Sequence, residues 1–523
     1  MSTSVNSSAL IRIALIVALG GLLMGFDASV ISGVNKFIKL EFELTDFQLG
    51  WAVSSLTLIA ALAMLVSGPL SDRYGRRAVL RVASVLYAIS ALGSALAPDF
   101  TWLVVFRMIG GLGVGASLIL APMYIAEIAP SEERGKLVSF NQLNIVIGIT
   151  LAYFTNLLIV DLGDSDLAWV ESLGIKEHNW RWMLGLEAVP AVLYFLCLFM
   201  VPRSPRWLLM QGKSEEATRI FARFFDPARI KEEVSSIVES LDNPDKNKSR
   251  VKDLFNPALK LVLTIGLVMA VLQQITGINA VFFYAPMIFE QTGIGTDASL
   301  MQAVLVGLVN LVFTVIAMIV IDRLGRKPLL IIGVLGITLS MATLSYSFSQ
   351  ATYTYNEDSF KNIEWEMGTG QPETINAASF DNRSEFRAHL QAEVSEVTWE
   401  KHRADITNHS IGVDGWVVLI AILVFVASFA VSVGPVMWVL FSELFPTMIR
   451  GLAIAVVGLV NSLVSFGVQL VFPWELDALG STITFALYGG FAFFGLIFIL
   501  RVVPETKGRT LEQIEDELVT NKS

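Results

Sequence analysis

Apolar runs of about 20 residues, the length of a membrane-crossing helix, recur from one end of this chain to the other. They lie near 10–34, 46–70, 77–97, 100–126, 136–160 and 180–201, then near 257–290, 297–321, 328–349, 413–442, 451–475 and 480–503. In hydrocarbon every backbone N–H and C=O needs an internal partner, so such a chain spans as helices or as a closed barrel. A barrel would show short alternating segments, and the runs here are long and continuous. Only 16% of residues are charged and 54% are hydrophobic, where soluble domains are about a quarter charged. The reading is an all-α membrane protein of twelve transmembrane helices. The first run holds Asp27 and lacks a small-residue cleavage pattern, so it reads as a span rather than a leader. The single cysteine, Cys197, excludes an intrachain disulfide.

Charge sets the expected orientation. The short loops at 71–77, 131–136, 322–327 and 446–450 carry Arg73, Arg76, Arg77, Arg134, Lys136, Arg323, Arg326, Lys327 and Arg450. The stretch 203–253 adds eleven Lys or Arg. An opposite loop carries Asp161, Asp164, Asp166, Glu171 and Glu177. Basic loops stay in the cytoplasm. Twelve crossings of the plasma membrane then leave both termini cytoplasmic.

The chain repeats itself. GPLSDRYGRR (68–77) matches VIDRLGRKP (320–328), with Asp72, Arg73, Gly75 and Arg76 recurring as Asp322, Arg323, Gly325 and Arg326. AEIAPSEERG (126–135) matches SELFPTMIRG (442–451), so that Glu127 and Arg134 recur as Glu443 and Arg450. The first pair is offset by 250 residues and the second by 316, which requires an insertion of about 66 between them. Residues 350–412, with eleven acidic and five basic side chains, supply it as a loose external cap. The expected division is a six-helix unit over 1–202, a cytoplasmic linker with short amphipathic helices over 203–256, a second six-helix unit over 257–503 and a tail over 504–523. Two six-helix repeats with a site between them describe a transporter. NRS (382–384) and NHS (408–410) are three-residue sequons that arise readily by chance.

Buried polar residues locate the chemistry. A carboxylate at the centre of a span costs at least roughly 2.5–3.5 kcal/mol, so intramembrane acids are functional by default. Asp27 is such an acid, and Arg107 in TWLVVFRMIGGLGVG (101–115) lies at similar depth in another span. Paired with Arg107, Asp27 is held ionised; parted from it in hydrocarbon, it takes a proton. Glu187 is a second candidate proton carrier. A permanent structural Asp27–Arg107 pair is the competing reading. Carboxamides donate and accept at once, so a cluster of them matches groups that do the same. Gln273, Gln274 and Asn279 share one span, and unwinding at Thr276-Gly277 would turn them to one cavity. Gln142, Asn310 and Asn461 are further intramembrane amides, which could equally hold helices together. GGLGVG (110–115) follows no strand and reads as close helix packing, not a nucleotide loop. No nucleophile, metal cluster or cofactor motif is convincing, so no enzyme is expected.

Six motifs in order make the chain resemble the sugar porters of the major facilitator superfamily, in particular the bacterial sugar–proton symporters, xylose carriers among them. These are GPLSDRYGRR, VPRSPRWLL (201–209), QQITGINAVFFYAP (273–286), DRLGRKP, GPVMWVLFSELFPTMIRG (434–451) and VPETKGRTLEQIE (503–515). The resemblance implies that Gln142, Gln273, Gln274, Asn279, Asn310, Trp438 and Asn461 line a sugar site, with Trp438 following a break at Gly434-Pro435. It implies that Phe283 and Tyr284 form an external gate. It also implies that Asp72, Arg73, Arg76, Glu127 and Arg134, with Asp322, Arg323, Arg326, Glu443 and Arg450, tie the inner ends together when the carrier faces outward. Three positions depart from the family pattern: Ser462 replaces a Trp, Phe283 a Tyr, and Arg203 the glutamate of a PESPR motif. The expected function is symport of a monosaccharide with a proton. A passive uniporter of sugar or polyol is the alternative, and a sugar sensor is disfavoured by the short tail. The expected partners are the sugar, protons and lipid, without nucleic acid, and the expected state is a monomer.

Overall fold

Each apolar run folds as a helix because only a helix satisfies its backbone from within the segment. The computed structural model describes residues 7–130, 133–225, 230–231, 234–235, 237–239, 251–356, 377–381, 383–393, 406–407, 409–446, 449–509 and 511–515. The first half holds α1 (Ser7–Glu41), α2 (Asp46–Tyr74), α3 (Arg76–Ala95), α4 (Phe100–Ile128), α5 (Arg134–Gly163), the short α6 (Ala168–Ser172), α7 (Asn179–Gly185) and α8 (Ala188–Cys197). The linker contributes α9 (Pro205–Met210) and α10 (Ser214–Phe221). The second half holds α11 (Lys260–Ile275), α12 (Ile278–Glu290), α13 (Thr296–Leu324) and α14 (Arg326–Ser349). After the external segment come α16 (Gly415–Val431), α17 (Val433–Leu444), α18 (Arg450–Ala478), α19 (Gly480–Val502) and α20 (Leu511–Glu515).

Eleven helices or joined helix pairs are long and apolar enough to cross a membrane among the described residues. The sixth crossing, expected as one helix over 180–201, is made in two pieces, α7 and α8. Pro190 explains the break, because it has no N–H to offer the Leu186 carbonyl. The ladder there tightens to Glu187 N–Leu184 O (3.3 Å) and Val189 N–Leu186 O (3.1 Å). Glu187 falls in the gap.

The duplication shows in the backbone as well as in the residues. Gly75 (φ 92°) turns α2 into α3, and Gly325 (φ 95°) turns α13 into α14. Within the halves α1 packs on α5, α4 on α2 and α3, and α14 on α16 and α19. The halves meet where α2 packs on α18, α5 on α13 and α1 on α12. Small residues set the spacing of membrane helices. A Cβ on Gly50 would fall 2.0 Å from the Leu470 carbonyl oxygen, so α2 and α18 touch through backbone. Within GGLGVG, Cβ atoms on Gly111 and Gly115 would fall 2.6 and 2.3 Å from the carbonyl oxygens of Leu56 and Ala60 on α2.

Three further breaks interrupt the second half. Gly277, at φ 92° and ψ 13°, separates α11 from α12. Tyr284 leaves the helical region (φ −129°, ψ 18°) two residues before Pro286. Ser432 (φ −127°, ψ −95°) separates α16 from α17. That last break was expected at Gly434-Pro435. It lies upstream because the Pro435 ring excludes the carbonyl four residues earlier. At Gly277 an alanine would be strained by its positive φ and would place a Cβ 2.6 Å from the Tyr488 ring. Gly277→Ala is expected to cost about 1–3 kcal/mol, read as a lower thermal unfolding midpoint in detergent.

The external segment corrects one expectation. Its described part is not loose: β1 (Thr352–Tyr355) pairs antiparallel with β2 (Ala378–Phe380) and β3 (Ile411–Gly412) in the order β2-β1-β3. With α15 (Arg383–Glu393) it buries Tyr353, Tyr355, Phe386, Leu390 and Ile406 as a small core of its own. Asn382 and Asn408 of the two sequons lie outside the described residues. In the linker, Ser204 caps α9 by accepting from Trp207 N at 3.2 Å. Helix α10 buries Ala217, Ile220 and Phe221 on one face. Much of the second amphipathic stretch, 227–241, lies outside the described residues.

Candidate functional site

Asp27 on α1 and Arg107 on α4 are each 1% exposed. They meet through a single contact, Arg107 Nη1 to Asp27 Oδ1, at 3.4 Å. Arg107 Nε donates to the Ala52 carbonyl on α2 at 2.9 Å. The second carboxylate oxygen, Asp27 Oδ2, has no hydrogen-bond partner among the described residues, and neither has Glu187 Oε1. Glu187 is also 1% exposed. A strong guanidinium–carboxylate pair is bidentate and closes to about 2.7–2.9 Å. This pair is long and one-sided, and an unmatched buried charge is costly. Gly110 of α4 completes the wall, since a Cβ there would fall 2.7 Å from Asp27 Oδ2.

A second buried cluster is built from amides. The break at Gly277 turns Asn279 back toward α11, so the three amides of this span share one network. Gln273 Nε2 donates to the Val433 carbonyl at 3.1 Å. Gln273 Oε1 accepts from Asn461 Nδ2 at 2.9 Å and Gln274 Nε2 at 3.3 Å. Gln274 Nε2 also donates to Asn461 Oδ1 at 3.1 Å, and Gln274 Oε1 accepts from Asn279 Nδ2 at 2.7 Å. Asn279 Nδ2 continues to Ser465 Oγ at 2.6 Å, which accepts from Gln469 Nε2 at 2.8 Å. Thr57 Oγ1 on α2 donates to Gln469 Oε1 at 2.9 Å, so the chain of hydrogen bonds ends in the first half of the molecule.

The structure therefore joins Gln273, Gln274, Asn279 and Asn461, and leaves the other three expected residues apart. Asn310 on α13 is buried but takes no part in this network among the described residues. Gln142 on α5 is exposed. Trp438 on α17 is 42% exposed, its indole against Phe441 at 5.8 Å between ring centres. Ser465, Gln469 and Thr57 were missed. Asn461, Ser465 and Gln469 stand four apart on α18, a polar face visible in the sequence.

The two ends of the molecule differ. At the end where α1 stops and α12 stops, bonds cross between halves. Asn35 Nδ2 donates to the Phe283 carbonyl at 2.8 Å, and Lys36 Nζ reaches Glu290 Oε1 at 3.1 Å. Tyr153 OH donates to the Phe282 carbonyl at 2.6 Å. Tyr284 OH instead ties α12 to α18, donating to the Gln469 carbonyl at 2.8 Å. At the opposite end the motif charges pair within each half. Arg76 binds Asp72 at 2.7 Å and Glu127 at 3.0 Å. Arg326 binds Asp322 at 3.3 Å and Glu443 at 2.8 Å. Ser204 Oγ donates to Glu127 Oε2, and Thr506 Oγ1 to Glu443 Oε2, each at 2.5 Å. Arg73 lies over the Tyr74 ring, Arg134 is exposed at the start of α5, the Arg323 carbonyl accepts from Lys507, and Arg450 donates to the Phe445 carbonyl.

The chain is similar to the D-xylose-proton symporter of Escherichia coli (strain K12), with 35% identity over 98% of this chain and 97% of that protein. It is 34% identical to the arabinose-proton symporter of Bacillus subtilis (strain 168), over 95% of this chain and 92% of that one. Among solved structures, the inward open conformation of the xylose transporter XylE from E. coli superposes with a TM-score of 0.74 at 32% identity, covering 97% of this chain and all of that one. The proton:xylose symporter XylE bound to 6-bromo-6-deoxy-D-glucose gives 0.71 at 34% identity, covering 98% and 100%. Residues 13–367 and 403–518 match the sequence profile described as "Sugar (and other) transporter". The protein is thus a multi-pass membrane transporter with the twelve-helix major facilitator fold, and it belongs to the sugar porter family.

Proposed function

We propose that this carrier moves a monosaccharide into the cell together with a proton by alternating access, and that Asp27 is the proton carrier. The observation that carries this reading is the buried, one-sided Asp27–Arg107 contact, with Asp27 Oδ2 and Glu187 Oε1 both unmatched among the described residues. A proton on Asp27 removes the charge that holds Arg107. The guanidinium is then free to reorganise, and α1 can move relative to α4. Glu187, at the break in the sixth crossing, takes the second place in the relay. The similarity to relatives named as xylose–proton and arabinose–proton symporters supports proton coupling over passive transport.

The amide network is the sugar site in this reading. Its members bond to one another, and sugar hydroxyls exchange with these bonds. Gln142, Asn310 and Trp438 close on the sugar from α5, α13 and α17 when the inner ends come together. Bonds between halves at the outer end and pairs within halves at the inner end fit an inward-facing state. Units 1–202 and 257–503 rock about the site, with both termini and the basic loops cytoplasmic, in the plasma membrane. The chain acts as a monomer, without nucleic acid.

Two tests bear on this. Proteoliposomes with an imposed inward proton gradient should accumulate sugar, whereas a passive uniporter would only equilibrate it. Removing Asn35 and Lys36 together (both to Ala) deletes cross-half bonds worth about 1–3 kcal/mol when buried partners are left unmatched. The outer end should then open in a larger fraction of molecules, read as longer spin-label distances between the outer ends of α1 and α12. Unchanged distances would contradict the assignment of these residues to an outer gate.

A further inference from the structure

One of the differences between the two repeats is a charge reversal that the transport cycle leaves unused. In the second, Val503-Pro504-Glu505-Thr506 brings Glu505 to the start of α14, where its oxygens accept from the Arg326 and Lys327 amides at 3.1 and 3.0 Å. In the first, Val201-Pro202-Arg203-Ser204 has an arginine at the matching place. Ser204 and Thr506 hold Glu127 and Glu443 at the same 2.5 Å, so the two segments are equivalent and one charge is reversed. Arg203 turns instead to Glu216 of α10, 3.5 Å away.

Beside Arg203 lies a cleft of about 970 Å³ between the start of α3, the end of the sixth crossing and α10. Arg77, Arg203, Lys213, Arg219 and Arg223 line it against Glu215 and Glu216, five positive charges to two negative. Lys213, Arg219 and Arg223 form no ion pair among the described residues. Phe199 and Met200 form the rim at the end of the sixth crossing and are 56% and 74% exposed. The cleft is therefore basic within and apolar at its membrane edge.

We propose that this cleft binds the phosphate headgroup of an anionic phospholipid, with the acyl chains lying along Phe199 and Met200. Basic clusters directly beside a membrane helix attract anionic headgroups, and arginine matches phosphate oxygens in pairs. A soluble phosphate would satisfy the arginines but not the apolar rim. Placement in the cytoplasmic leaflet follows from the orientation proposed above; the binding itself does not depend on transport.

Native mass spectrometry of the full chain, titrated with phosphatidylglycerol or phosphatidylcholine, tests this. One phosphatidylglycerol should be held about tenfold more tightly than phosphatidylcholine. Arg203→Glu should abolish the difference. Lys213→Gln combined with Arg223→Gln, which inserts no negative charge, should reduce it, with the unfolding midpoint reporting that the fold is kept. Soluble glycerol 3-phosphate should leave the bound lipid in place. Equal retention of the two lipids, undiminished preference in both variants, or displacement by glycerol phosphate would overturn the proposal.

Discussion

Asp27→Asn is expected to abolish accumulation of sugar against its gradient while leaving exchange of sugar across the membrane intact. Asparagine keeps the shape of a protonated aspartate and can still hydrogen-bond, but it cannot gain or lose a proton near neutral pH. Arg107 would lose the one carboxylate contact it has among the described residues, the 3.4 Å approach to Oδ1. With one proton per sugar, each unit of pH gradient is worth about 1.4 kcal/mol, or about a tenfold accumulation ratio. The native carrier should approach that ratio and the variant should stay near onefold. Counterflow of labelled sugar, which needs no gradient, should continue in the variant. Loss of both activities would make the pair purely structural.

Gln274→Ala carries the second large effect. Gln274 is the hub of the amide network, bonded to Gln273, Asn461 and Asn279. Removing it strands Asn461 Oδ1 and takes away a donor and an acceptor that sugar hydroxyls use. Each unmatched buried polar group costs about 1–3 kcal/mol, so sugar affinity should fall roughly 10- to 100-fold. Binding measured by isothermal titration or by counterflow half-saturation reads this directly. The same change at Asn310, which stands outside the network, should weaken binding less in the inward-facing state.

The span pattern was legible because hydrocarbon imposes one rule on every residue in a run, and the described helices stay within a few residues of the apolar stretches, except α1, which runs on to Glu41. The unwinding at Gly277 was legible too, since amides six apart share a cavity only if the helix breaks between them. The break at Ser432 was misplaced by two residues because a proline acts on the carbonyl four positions upstream. Three strands of two to four residues are shorter than any alternation that could reveal them. The polar face Asn461–Ser465–Gln469 was readable from its spacing of four. Thr57 was not, because a lone threonine in a span shows nothing of the partner that folding brings to it. Buried acids were legible as a cost, but only the structure brought Asp27 and Arg107 to 3.4 Å and left Oδ2 unmatched among the described residues.

Sugar-induced proton movement in a weakly buffered suspension of proteoliposomes tests proton coupling most directly. With the membrane potential clamped, adding sugar outside right-side-out carrier should make the external medium more alkaline, by about one proton for each sugar that enters, and Asp27→Asn should show none. Sugar entry at the native rate with no change in external pH would contradict the coupling and leave a carrier driven by the sugar gradient alone.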